Sequence, residues 1–294
     1  MLHQLNNGHL QISVSEMGAE LQSLVLLSKD QEYMWSGDPA FWGKKSPVLF
    51  PIVGGLKNNQ YQCKGSTYSL NRHGFAREKK FTLLEATKTE LVFGLTQDAE
   101  TLARYPFDFS LKLRYTLVDN KLVCSYEVQN PGNADLYFSI GAHPAFRVPL
   151  QDGDAFQDYQ LQFSHTEQAP IWPLSPEGLL LTSPQTFTWN TAGSSSCIPL
   201  SKPLFYGDAL VFKTLVSDTI TLRHRTQEKG FHFRFNEFPF FGIWSAKDAP
   251  FVCLEPWCGI ADSIDTTGEF SQKEGIEKCA PGSVFTRQWE IEPF

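Results

Sequence analysis

Four stretches of this 294-residue chain place an acid, a base or a guanidinium beside glycine, proline or aromatic residues. "NRHGFAR" carries His73 and Arg77 four apart, with Gly74 allowing close backbone approach; "GAHPAF" carries His143, with Gly141 and Ala142 before it and Pro144 after it. "FYGDALVF" starts an apolar strand with Asp208, and "VCLEPWCGIAD" sets Glu255 between Leu254 and Pro256-Trp257. These groups suit proton transfer on a polar ligand. A carboxyl in an apolar segment loses hydration, so burial raises its pKa and leaves it able to act as a base near neutral pH. An imidazole, titrating near ~6.5, serves as acid or base. Each residue also has a plainer role when taken singly. A lone histidine is commonly a hydrogen-bonded structural residue, Asp208 after Gly207 a turn former, and Arg77–Glu78 a solvated pair.

The elements that must hold these groups are strands. In "SLKLRYTLVDNKLVCSYEVQN" Leu111, Leu113, Tyr115 and Leu117 alternate with polar residues, Asp119-Asn120 turns the chain, and Leu122, Cys124, Tyr126 and Val128 resume the alternation. That predicts a hairpin with one buried face. "ALVFKTLVSDTITLRHR" suggests a second hairpin around Ser217-Asp218, and "FHFRFNEF" a further strand. Helical periodicity is scarce: "DPAFWG" predicts one turn, and "SQKEGIEKCAPG" a short helix closed by Pro281-Gly282. The Pro/Ser/Gly-rich tract 170–203 reads as an ordered excursion because Trp172, Leu179, Leu180, Phe187 and Trp189 punctuate it. With no βαβ rhythm and no linker, residues 1–294 read as one mostly antiparallel all-β domain, a large sandwich or barrel with few short helices.

Composition narrows the function. The net charge of −7, without a basic cluster, excludes a nucleic-acid surface. No apolar run approaches the ~18 residues of a membrane span, and no signal-peptide pattern opens the chain, so a soluble, cytoplasmic protein is expected. The glycine-rich nucleotide loops are missing, as is H-E-x-x-H. Six cysteines at 63, 124, 197, 253, 258 and 279 form no C-x-x-C pair and read as free thiols, not a zinc site. The 24 Phe, 9 Tyr and 7 Trp supply flat side chains for a β core and for stacking on sugar rings.

"SPVLFPIVGGLKNNQY", "HGFAR", "ARYPFDFSLKLRYTL", "IGAHPAF", "DALVF" and "LEPWCGIAD" occur in the order seen in the aldose 1-epimerase, or galactose mutarotase-like, family. The resemblance runs from about residue 8 to the C-terminus, and the sequence looks most like the LacX-type branch. The resemblance implies a β-supersandwich with a sugar cleft across one sheet. It implies an isomerase that interconverts the α and β anomers of a hexose, without cofactor or metal. Glu255 matches the family's base and would take the C1 hydroxyl proton. His143 matches its acid and would protonate the ring oxygen O5 as an imidazolium. His73, Arg77 and Asp208 match substrate-binding positions, and Trp257 or Phe146 would stack on the sugar. Gly55 departs from the pattern, since many relatives carry a basic residue there; Lys57 is a replacement to test. A hexose phosphate is the alternative substrate, with Arg77 and the Lys44–Lys45 pair as phosphate ligands. A non-catalytic sugar-binding or regulatory protein would use the same cleft.

Overall fold

The computed structural model describes all 294 residues, and antiparallel strands dominate it. Ten strands form the large sheet, in the order Asn190–Ala192, Ser195–Pro199, Tyr159–Phe163, Thr219–His224, Gly230–Arg234, Val284–Pro293, Lys121–Gln129, Ser110–Val118, Glu90–Thr96, Thr82–Ala86. The expected hairpin lies in it, with Leu117 opposite Leu122 and Val118 opposite Lys121 across the Asp119-Asn120 turn. A second sheet runs Leu210–Phe212, Phe240–Trp244, Phe251–Cys258, then Ile140–Ala142 and Ala145–Arg147 side by side on that last strand, then Val48–Leu49. The N-terminal residues add a four-stranded meander, from Leu2–Asn6 to Gln31–Glu32.

The two larger sheets face each other through aromatic side chains. Phe146 meets Phe231 at 4.4 Å between ring centroids, Phe241 meets Phe235 at 4.2 Å, and Phe146 meets Phe233 edge-on at 5.9 Å. Strand alternation explains the sorting. In Phe251–Cys258, Val252 and Leu254 point into this main core, while Phe251, Cys253, Glu255 and Trp257 point to the other face. Loops cover that second face as well, so all eight residues of the strand are buried.

Two expectations need correction. "ALVFKTLVSDTITLRHR" is not a hairpin: Leu210–Phe212 belongs to the second sheet and Thr219–His224 to the large one. The buried Glu167 carboxylate holds the crossing between them by accepting the Val216 N–H at 3.1 Å and the Ser217 N–H at 2.7 Å. "SQKEGIEKCAPG" forms no helix beyond the turn Phe270–Gln272; Gly275 breaks it with a left-handed backbone, and Glu277–Cys279 pairs with Leu136–Phe138. The α-helix lies instead at Ala99–Arg104, where Asp98 accepts from the Thr101 N–H and the Thr101 hydroxyl accepts from the Asp98 N–H. The "DPAFWG" turn is present, with the Trp42 N–H donating to the Asp38 carbonyl. All six cysteines are free and buried. No helix is long and apolar enough to cross a membrane.

Candidate active site

The paired short strands Ile140–Ala142 and Ala145–Arg147 explain the setting of His143. Gly141 stands opposite Trp257, and Ala145 opposite Cys253, so the register is unchanged across the gap. His143 therefore stands opposite Glu255. Pro144, which has no N–H to give, interrupts the ladder there, and its carbonyl still accepts from the Leu254 N–H at 3.2 Å. His143 Nε2 lies 3.3 Å from Glu255 Oε2, with both side chains under one-tenth exposed. On the far side of Glu255 the sheet places Gly242, whose missing side chain leaves room for the Trp257 ring.

Above this pair opens a cavity of about 670 Å³. Six of the seven residues singled out from sequence line it: Glu255, His143, His73, Arg77, Asp208 and Trp257. Phe146 does not. Three residues after His143, it projects from the opposite face of the strand and is fully buried between the sheets. Lys57 is not a cleft residue either; its amine donates to the Ile264 carbonyl at 2.7 Å. The Lys44–Lys45 pair also lies outside, Lys45 donating to the Gln22 carbonyl.

Sequence reasoning missed Trp42, Trp244 and Arg72. Trp42 stacks on the His143 ring at 4.8 Å and Trp244 meets it edge-on at 5.7 Å, so indoles fix the imidazole from two directions. The visible signals were weak: a tryptophan in a turn, a tryptophan ending a strand, and an arginine beside His73. Arg72 rests on the turn at Gly178. Its Nη2 lies 1.3 Å from where a Cβ at 178 would stand and 3.4 Å from the Glu177 carbonyl oxygen. Gly55 faces the same turn, 3.7 Å from the Gly178 carbonyl if a Cβ is added. Arg72 thus brings a guanidinium to the wall that Gly55 leaves bare. The tract 170–203 supplies that wall through Leu174, Ser175, Pro176, Gly178 and Leu180.

Backbone strain accompanies the polar groups. His73 and Asp208 both adopt positive φ, +68° and +90°, which costs a side chain free energy and is concentrated at functional positions. The Gly54 N–H donates to His73 Nδ1 at 3.1 Å, so neutral His73 carries its hydrogen on Nε2. Asp208 accepts from the Ala209 N–H at 2.7 Å, combining the turn-forming role with a place in the cleft.

Burial dominates the electrostatics. It pulls the His143 imidazole down to about 3, helped by the positive charges of Arg77 and Arg72. It pushes the Glu255 carboxyl well above its usual range, as does the nearby Asp208 charge, while Arg72 favours the carboxylate. His73 is likewise held well below an ordinary histidine, first by burial and then by His143. Burial thus favours the uncharged forms of both groups, the protonated carboxyl of Glu255 and the neutral imidazole of His143. Cys253 completes a buried group with His143 and Glu255 whose possible ligand atoms lie within 4.8 Å of one another. Burial pushes that thiol far up, which disfavours the thiolate that a metal would need.

The family model for aldose 1-epimerase matches residues 1–276. The chain belongs to the aldose 1-epimerase family. Within it, the chain is 33% identical over 303 aligned residues to the chromosomal protein LacX of Lactococcus lactis subsp. lactis, covering 99% of each. Two solved structures extend this family likeness. A galactose mutarotase related enzyme from Lactobacillus acidophilus superposes with a TM-score of 0.93 at 33% identity, covering 100% of this chain and 97% of that one. A galactose mutarotase-like protein from Lactobacillus casei ATCC 334 gives 0.92 at 28% identity, with both chains fully covered. The sandwich is thus the galactose mutarotase-like fold of the family, as expected from the six ordered motifs.

Proposed function

We propose that the protein is an aldose 1-epimerase that interconverts hexose anomers by opening and reclosing the ring. The observation that carries this is the opposed His143–Glu255 pair, 3.3 Å apart at the floor of a sugar-sized cleft. His143 Nδ1, Trp257 Nε1 and Arg77 Nε are buried without hydrogen-bond partners, and all three belong to lining residues. Such atoms normally find partners, and sugar hydroxyls would supply them.

The reaction moves one proton. The C1 hydroxyl loses its proton as C1 becomes an aldehyde carbon, the C1–O5 bond breaks, and O5 gains a proton. Rotation about C1–C2 presents the other aldehyde face, and the reverse steps close the ring. Burial favours the pair's proton on Glu255. A bound sugar, together with Arg72 and the Nε2–H of His73, stabilises the carboxylate and lets that proton pass to His143. Glu255 then accepts from the C1 hydroxyl while the imidazolium protonates O5. Asp208 and Arg77 orient the ring, and the indole of Trp257 stacks on it.

The second reading, a hexose 6-phosphate, is favoured by the two guanidiniums of the cleft. Arg72 makes a single hydrogen bond, to a carbonyl, and keeps donors free. Anomer exchange followed by NMR with glucose, galactose and glucose 6-phosphate tests both readings. Acceleration of any of them supports the epimerase, and the best sugar assigns the phosphate. Binding without acceleration would identify the non-catalytic sugar binder.

The pH dependence is a sharper check on the pair. The form holding one proton is lost when His143 gains a second, near pH 3, and when Glu255 releases its own, well above the usual carboxylate range. The acid limb of the kcat/KM profile is therefore expected near pH 3, since the profile reports the free enzyme. An inflection near ~6.5, the value of an unperturbed histidine, would show that burial does not govern His143.

A further inference from the structure

The motif "LEPWCGIAD" ends on an acid that has no part in the proton transfer. Asp262 is buried, as is Lys273, which follows the turn Phe270–Gln272, and neither lines the cavity. Lys273 Nζ donates to Asp262 Oδ1 at 2.9 Å and to the Ile260 carbonyl. Taking two charges out of water is costly, and a well-packed apolar pair of similar volume is often at least as stable. Stability is therefore a weak reason for this ion pair. Its connections supply a better one.

Every polar group of Asp262 holds another segment. Besides the Lys273 ammonium, its carboxylate accepts from the Lys57 N–H at 3.0 Å. Its own N–H donates to the Gly55 carbonyl at 2.9 Å, and its carbonyl accepts from the Leu180 N–H at 2.8 Å. The preceding residue, Ala261, presses on Gly54 so closely that a Cβ at 54 would stand 2.5 Å from the Ala261 Cβ. Gly54 in turn grips His73 twice, donating to ring Nδ1 at 3.1 Å and accepting from the His73 N–H at 2.9 Å. Gly54, Leu180, Ile260 and Ala261 line the cavity together with His73. None of these contacts sets the gap between His143 and Glu255, which the sheet fixes. We propose that Lys273 and Asp262 form a clasp that positions His73 and the Leu180 wall for the sugar. Lys273 is thus a positioning residue that never meets the ligand. Its effect on turnover rests on the epimerase reading, whereas its hold on His73 does not.

The test compares wild type with Lys273→Met and with the double variant Asp262→Asn/Lys273→Met. The single change leaves a buried carboxylate without its cation and is expected to melt well below wild type. The double removes both charges, keeps an oxygen for the Lys57 N–H and should melt close to wild type, yet it lacks the tie to Lys273. The first readout is the ¹⁵N NMR signal of the His73 ring, identified by its loss in His73→Gln. Wild type should show the single tautomer with hydrogen on Nε2. In the double variant the ring signals should move towards the mixed-tautomer average of a solvated imidazole. The second readout is anomer exchange against sugar concentration, with the sugar that wild type exchanges fastest. In the double variant KM should rise about tenfold while kcat stays within about threefold, the pattern of lost uniform binding. A folded double variant with His73 unmoved, or with KM within about twofold of wild type, overturns the proposal. So does a double variant that melts as low as the single one, since the pair would then serve stability. A displaced His73 with no exchange by wild type would keep the clasp and remove the epimerase. Exchange by wild type with His73 unmoved would do the reverse.

Discussion

The Glu255→Gln protein is expected to fold as the wild type does and to exchange hexose anomers roughly 10²–10⁴-fold more slowly. The amide keeps the size of the side chain and can hydrogen-bond to His143, but it cannot take a proton from the C1 hydroxyl. Stability should move the other way. The folded state raises the Glu255 pKa, so it binds that proton more tightly than the unfolded chain does. This contribution is complete below about 4.5 and is lost as pH rises towards the folded value. Glutamine does not ionise, so the variant should melt no lower than wild type at pH 5, with a gap in its favour that widens as pH rises. Slow exchange combined with a raised melting temperature would identify a residue kept for chemistry at the expense of stability. Exchange within threefold of wild type would remove Glu255 from the mechanism. His143→Asn should lose exchange by a similar factor.

Gly74→Ala is expected to destabilise the protein by at least about 2 kcal/mol in urea unfolding and to lose anomer exchange with it. Gly74 has φ of +70°, and an added Cβ would stand 2.3 Å from the Phe50 carbonyl oxygen. That oxygen already accepts from the Phe75 and Ala76 N–H groups, so the backbone cannot retreat without giving up both hydrogen bonds. Because Gly74 follows His73 directly, any adjustment swings a cleft residue. Gly65→Ala is the control: its φ is +77°, but nothing lies within 4 Å of the new atom. It should cost about 1 kcal/mol and leave exchange untouched. Equal costs at the two positions would mean that the close approach at Gly74 is relieved by a small local shift.

Much of this architecture is legible in the residues. The period of two in 110–129 predicts both strands and their turn, because a half-buried antiparallel strand must alternate. The motif order places His143 and Glu255 in one family framework. What stays hidden is the partnering of distant segments. "ALVF" and "TITL" have equal claims to a hairpin, and the crossing that carries them to different sheets is held by Glu167, some fifty residues earlier. Phe146 fails as a cleft residue for a reason that alternation from His143 already contains. Trp42, Trp244 and Arg72 come from three separate segments, and nothing local marks them as walls of one cleft. The protonation of His143 is equally non-local, because it depends on the indoles that shut out water.

His143 and Glu255 face each other from neighbouring strands in one continuous register, and the pitch of a β-sheet sets their separation. No loop takes part in setting that gap. The surrounding wall is made of loops: the turn with Trp42, the segment with Arg72, the tract 174–180 and the shoulder at Tyr206. The spacing of the pair and the shape of the cleft are therefore written in separate parts of the chain. Loop sequences can drift or be exchanged between relatives, reshaping the cleft wall, while the sheet keeps the spacing of the pair.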